Sequence, residues 1–179
     1  LKIEEIVKQS LEGNVKAQRR LFDDYSPILL GVCRRYAKNQ YQADDIFQEA
    51  FINIFNNLHQ WSSEKGAFQP WIYRITVNTA IAIIKKENKH LASDVEDELS
   101  ISSYDVDLDE QLSFKDLQKI IDELPDGQKL IFNLYAIEGY THREIAEQLG
   151  INEGTSKSQL AKARNNLKKS HFKANQIVK

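Results

Sequence analysis

Apolar residues recur along this chain at three- and four-residue spacing, the period of helices that bury one face. Ile3, Ile6, Val7 and Leu11 form the first stripe, which stops at Gly13-Asn14. Ala17, Leu21, Phe22 and Tyr25 form a second, expected to end near Ser26-Pro27, and Ile28 to Tyr36 a third. Between Ala43 and Leu58, the positions Ile46, Phe47, Ala50, Phe51, Ile54, Phe55 and Leu58 give an apolar face too wide for a single neighbour. Phe68-Gln69-Pro70-Trp71 opens a further helix with proline in its first turn, and Ile72, Ile75, Thr76, Thr79 and Ile83 should face its core. No stretch sustains period-two alternation, so strands are not expected. The pattern predicts an all-α chain of two small helical domains.

The last third carries the most specific local signals. Thr141-His142-Arg143-Glu144 has the capping-box pattern, with Glu144 placed to reach back to the Thr141 backbone N–H. Ile145, Ala146 and Leu149 make a short apolar stripe, and Gly150 supplies a residue able to take positive φ at the helix end. Asn152 is a good N-cap for a second helix. That helix should turn Ser156, Leu160, Ala163 and Leu167 to one side and Thr155, Ser158, Gln159, Lys162 and Asn165 to the other. A short helix, a tight turn and a longer helix with a small-polar and basic outer face predict a helix-turn-helix whose second helix enters a major groove.

Charge sharpens this picture. The formal net charge of −2 conceals its distribution. Residues 1–90 carry 13 basic and 10 acidic side chains, residues 113–179 carry 11 and 8, and residues 91–112 carry eight acids with no base. Two mildly basic domains, 1–90 and 113–179, are therefore expected to be joined by a flexible acidic linker at 91–112, which is also rich in serine. After Glu153 the chain has Lys157, Lys162, Arg164, Lys168, Lys169, Lys173 and Lys179 and no acid, which suits a polyanionic partner. No apolar run is long enough to cross a membrane, and Leu1-Lys2-Ile3-Glu4-Glu5 is charged where a signal peptide needs an apolar core. Cys33 is the only cysteine and lies in an apolar helical run, so a buried thiol and a cytoplasmic address are expected.

Two surfaces of the first domain hold candidate chemistry. Asp44, Asp45, Gln48, Glu49 and Asn53 share the polar side of the Ala43–Leu58 helix, and Asp45 with Gln48 could cap its start. A solvated face, a protein-docking surface and a magnesium site all use such residues, and the last needs a second carboxylate cluster that is absent. Trp61-Ser62-Ser63-Glu64-Lys65-Gly66 reads as a loop, leading to Phe68. Trp71, Arg74, Asn78 and Lys85 fall on one helical stripe beside it. Aromatic, amide and basic groups together suit single-stranded nucleic acid, because bases stack on rings while cations track phosphates. The alternative is that both tryptophans are core residues, the reading that Trp71 taken alone favours.

Several blocks, taken in order, carry a resemblance. They are Asp44-Asp45-Ile46-Phe47-Gln48-Glu49-Ala50-Phe51, then Phe68-Gln69-Pro70-Trp71-Ile72-Tyr73-Arg74-Ile75 with Asn78, then Leu124-Pro125. Gly139-Tyr140-Thr141-His142-Arg143-Glu144-Ile145-Ala146 and Gly154-Thr155-Ser156-Lys157-Ser158 with Ala163-Arg164 complete the set. Over nearly the whole chain they resemble the extracytoplasmic-function (ECF) sigma factors of bacterial RNA polymerase. The resemblance implies a non-enzymatic initiation subunit with core RNA polymerase, promoter DNA and an anti-sigma factor as partners, and no cofactor. It implies that 1–90 docks on polymerase and melts and reads the −10 element, and that 113–179 reads the −35 element.

Carried onto this chain, the resemblance puts Asp44, Asp45, Gln48, Glu49 and Asn53 on the polymerase-docking surface. It puts Trp61, Ser62, Ser63, Glu64, Lys65 and Phe68 in a loop that receives a flipped base, with Trp71, Arg74, Asn78 and Lys85 nearby. Thr155, Lys157, Ser158, Gln159, Ala161, Lys162 and Arg164 form the −35 set. Ser156 stands where that family prefers an apolar residue, and Gln159 where it often has arginine. Ala161 and Lys162 stand where larger side chains or arginine are common. These departures shift the expected −35 sequence, since arginine is the usual bidentate reader of guanine. An enzyme is not expected, because no nucleophile–base or metal-ligand spacing surrounds the four histidines. The alternative is a free-standing helix-turn-helix regulator that binds duplex DNA unaided.

Overall fold

Helix α1 (Ile3–Leu11) turns its Ile6, Val7 and Ser10 inward and ends at Gly13, whose φ is 84°. Asn14 then caps α2 (Val15–Tyr36), its side-chain oxygen accepting from the N–H groups of Lys16 and Ala17. The computed structural model describes residues 2–87 and 114–177, with side chains throughout except at 114–117 and 171–177. The chain divides into two units at Glu87, and every regular element among the described residues is helical. The acidic connector expected at 91–112 lies outside the described residues.

One expected break is absent. Helix α2 runs straight through Pro27, where the sequence predicted a stop. Proline in a helix interior costs about 3 kcal/mol through a lost N–H and a clash with the preceding turn. Here Pro27 is exposed, and Leu21, Leu29, Val32, Cys33 and Tyr36 are all buried on the opposite side. Burying each large apolar side chain contributes about 1.5–3 kcal/mol, so continuity of the stripe outweighs the local penalty. The Ser26 hydroxyl also donates to the Phe22 carbonyl, occupying an acceptor in the turn around the proline. Burial pushes the Cys33 thiol up to about 12, leaving it protonated and inert, as expected of a core thiol.

Helix α3 (Gln40–Asn57) begins earlier than the sequence suggested. Its cap is Asn39, whose side chain accepts from the Gln42 N–H at 2.9 Å, so Asp45 and Gln48 sit in the second and third turns and cap nothing. The signal for the true start is the buried Gln42. It accepts from the Lys38 N–H at 2.7 Å and donates to Glu87 at 2.8 Å, closing the α2–α3 corner against the end of α4 (Phe68–Glu87). Ile6, Val7, Leu21, Leu29, Phe51, Ile54, Leu58, Phe68 and Ile72 form the core of this unit.

In the second unit, α5 (Phe114–Asp122) and α6 (Asp126–Phe132) lead into one π turn over Asn133–Ile137. Helices α7 (His142–Leu149) and α8 (Glu153–Ile177) follow. Ile120, Ile121 and Leu124 pack with Ala163 and Leu167 of α8, and Leu134 and Ile145 are fully buried.

Candidate nucleic-acid interface

The α7–α8 pair is the helix-turn-helix that the sequence predicts. Thr141 accepts from the Glu144 N–H, and the Glu144 carboxylate accepts from the Thr141 N–H at 2.8 Å, completing the capping box. Gly150 takes φ 70° and ψ 35°, a left-handed conformation that costs residues with a Cβ, and its N–H bonds back to Ala146. The turn is thereby held at both ends, and α8 starts at Glu153.

Burial along α8 defines its faces. Ser156, Leu160, Ala163 and Leu167 are buried, as the spacing predicts, and Thr155 joins them at 5% exposure. Thr155 was expected among the groove-facing residues; the structure places it in the packing at the base of the helix. Lys157, Arg164 and Asn165 are exposed, whereas Ser158, Gln159, Ala161 and Lys162 are half-buried. Successive 100° steps put Ser158, Ala161 and Asn165 along the middle of the open face, with Lys157 and Arg164 on one flank and Gln159 and Lys162 on the other. The second flank leans toward α6, where Asn166 donates to Gln128 at 2.8 Å. Asn165, expected on this outer side by its spacing, was not in the −35 set that the resemblance implied.

Ser156, where an apolar residue was expected, has an explanation across the turn. Its hydroxyl is fully buried and shares a 2.9 Å hydrogen bond with Nδ1 of His142. The imidazole stacks on Tyr135 of the π turn, ring centroids 4.5 Å apart, and the Arg164 guanidinium lies 5.8 Å from the same ring. Burial lowers the His142 pKa, helped by Lys157 and Arg164 and opposed by Glu153. The folded unit thus disfavours the imidazolium. The stability this contributes is complete above the unfolded histidine pKa near 6.5 and is lost as pH falls through the lower folded value. We expect the melting temperature of the second unit to fall between about pH 7.5 and about pH 5.5, and His142→Gln to remove part of that fall. Identical pH profiles for the two proteins would contradict this.

In the first unit, Trp71 is half-buried, and Arg74, Asn78 and Lys85 are exposed on one stripe of α4. The Trp61–Gly66 loop is ordered by its own residues. Trp61 donates through Nε1 to the Gly66 carbonyl at 3.1 Å, and Gly66 adopts φ 137°, which favours glycine. Phe68, expected to line the loop, is a core residue at 4% exposure. Its ring lies edge-on to Trp61 at 5.2 Å and 5.8 Å from Trp71, so it supports both indoles from beneath. Ser62 is half-buried, and Ser63, Glu64 and Lys65 are exposed at the loop surface.

On α3, Asp44, Asp45, Gln48 and Glu49 are exposed together, and Gln40 donates to Asp44 at 2.7 Å. Asn53, expected on the same face, turns inward and donates to Thr79 of α4 at 3.1 Å. Tyr41 and Ile52, exposed at 83% and 52%, extend the acidic face with apolar surface. Sequence reasoning missed both, because neither belongs to the apolar stripe. Among the described residues, no group of three His, Cys, Asp or Glu side chains could hold a metal.

Fold and surface together define a helix-turn-helix protein with a second helical unit bearing an acidic face and an aromatic–basic face. Residues 21–90 match the family described as Sigma-70 region 2, and residues 114–167 match Sigma-70, region 4. The chain is 30% identical over 180 residues to the ECF RNA polymerase sigma factor SigW of Bacillus subtilis, covering 93% of this chain and 95% of that one. It is 29% identical over 171 residues to the ECF RNA polymerase sigma-E factor of Haemophilus influenzae, covering 89% of each. A solved structure, the sigma factor RpoE with the anti-sigma factor NepR from Bartonella quintana, is similar at 20% identity and TM-score 0.49 over 89% of this chain and 98% of that one. The chain belongs to the ECF sigma factors.

Proposed function

We propose that this chain directs initiation by reading the −35 element as duplex with α8 and capturing the melted −10 strand on the Trp61–Gly66 loop and the α4 stripe. The family supports promoter-specific transcription initiation with RNA polymerase. The observation that carries the finer assignment is the pairing of two unlike surfaces in one chain. One is a helix with an open face of small, polar and basic residues; the other is an ordered loop with half-buried indoles beside Arg74, Asn78 and Lys85. The first fits a major groove, and the second fits unstacked bases with phosphates alongside.

In this reading, 1–90 holds the docking and −10 functions, 113–179 the −35 function, and 91–112 links them. Core RNA polymerase, promoter DNA and an anti-sigma factor are the partners, and the cytoplasm is where the factor works. No described helix is long and apolar enough to cross a membrane. Neither surface supplies an energy source for strand separation. A flipped base costs a few kcal/mol, so melting draws on binding energy shared with the polymerase.

Templates opened in advance test the strand-capture surface. Asn78 is exposed on α4, so Asn78→Ala should leave the fold unchanged. It should reduce transcription from duplex promoters about five- to tenfold, the loss of roughly one hydrogen bond, and reduce it far less when the −10 region is already unpaired. Equal losses on the two templates would remove strand capture from this surface.

A further inference from the structure

We infer that duplex binding by the helix-turn-helix unit is coupled to uptake of a proton at His142, whose imidazole becomes charged as DNA phosphates engage Lys157 and Arg164. This rests on the reading of α8 as a duplex binder.

The geometry brings a hydroxyl, an aromatic ring, two cations and a carboxylate to bear on one side chain. His142 is the first residue of α7, half-buried, with Nδ1 2.9 Å from the hydroxyl of Ser156 on α8. Its ring is stacked 4.5 Å from that of Tyr135 on the π turn. The charged groups acting on it from α8 are Lys157, Arg164 and Glu153, the last already paired with Lys157 at 2.7 Å. On its own helix, the adjacent Arg143 pairs with Glu147 at 3.3 Å. The N-terminal end of α7 adds a positive dipole. In the free protein burial, Lys157 and Arg164 act against the imidazolium, and Glu153 opposes them.

A duplex reverses that balance. Phosphates close to Lys157 and Arg164 neutralise the two cations and place negative charge beside the ring, raising its proton affinity. Linkage is reciprocal: whatever factor DNA adds to proton affinity, the proton adds to DNA affinity. Protonation also leaves the bracket intact. A hydroxyl both donates and accepts, so Ser156 accepts from a protonated Nδ1 as readily as it bonds the neutral ring. The Tyr135 face is a favourable neighbour for an imidazolium. An apolar residue at 156 would offer the charged ring no such partner.

The test uses the full chain at low salt with a short random-sequence DNA duplex, since phosphate engagement does not depend on sequence. Between about pH 8 and about pH 6, affinity should rise roughly three- to tenfold, within the limit of one decade per pH unit for a single proton. His142→Gln and His142→Asn keep a polar partner for Ser156 and should lose most of this rise while melting cooperatively. Calorimetry in buffers of different ionisation enthalpy should show proton uptake near pH 6.5 for the native chain and less for either variant. Equal pH slopes, or equal uptake, in native and variant chains overturn the proposal and leave duplex binding standing. No duplex binding at any pH overturns the duplex reading along with it.

Discussion

Asp45→Lys combined with Gln48→Ala is expected to weaken association with core RNA polymerase by about 30- to 150-fold, the effect of losing roughly 1–1.5 kcal/mol at each of two interface positions. Both side chains are exposed on α3 and point away from Ile46, Ala50 and Ile54, so the fold of the unit should survive. Charge reversal adds repulsion against a basic partner surface, so association should slow more than dissociation quickens. The flanking Tyr41 and Ile52 supply apolar surface whose removal should act on dissociation instead. Pull-down affinity and thermal melting, measured together, decide this. Undiminished affinity with normal melting would take the docking role away from α3.

The second large effect separates reading of bases from attraction to phosphate. Lys162 is half-buried on one flank of the open face of α8, in the N-terminal half proposed to enter the groove. Lys168 lies nearly two turns further on. A base contact discriminates sequence by about 1–3 kcal/mol, whereas a phosphate contact adds affinity without discrimination. Lys162→Ala on holoenzyme should narrow the preference for a cognate −35 site over a scrambled one by about fivefold to a hundredfold. Lys168→Ala should weaken both sites alike and flatten the log–log salt dependence by about one unit. If Lys162→Ala shifts both sites equally, the helix enters its groove with another register, and Ser158, Ala161 and Asn165 become the next residues to exchange.

Local chemistry made the helix-turn-helix legible in the sequence. A capping box, a glycine at the helix end and an apolar repeat each act within a few residues, so Thr141, Glu144, Gly150 and Leu160 could be placed by spacing alone. Long-range competition decided the features that spacing misread. Pro27 signals a stop by local rules, and only burial of Leu29, Val32 and Tyr36 against other helices keeps α2 continuous. Asp45 has the composition of a cap, but Asn39 takes the position because Gln42 is drawn inward to Glu87, 45 residues away. Thr155 and Phe68 were expected at contact surfaces. Their burial depends on neighbours distant along the helix repeat, for Phe68 the two indoles, whose positions no periodicity encodes. The Ser156–His142 bond is of the same kind, since a buried serine can be foreseen as a departure but not matched to its partner across a turn.

Reconstitution with core polymerase tests the central claim most directly. Core RNA polymerase, with and without the full chain, would be run on size exclusion and then used to transcribe duplex genomic fragments. The account predicts co-elution of the chain with core, and chain-dependent start sites whose upstream DNA shares two spaced elements. A chain that stays apart from core, adds no start sites and binds duplex DNA unaided would contradict it and return the protein to the free-standing regulators.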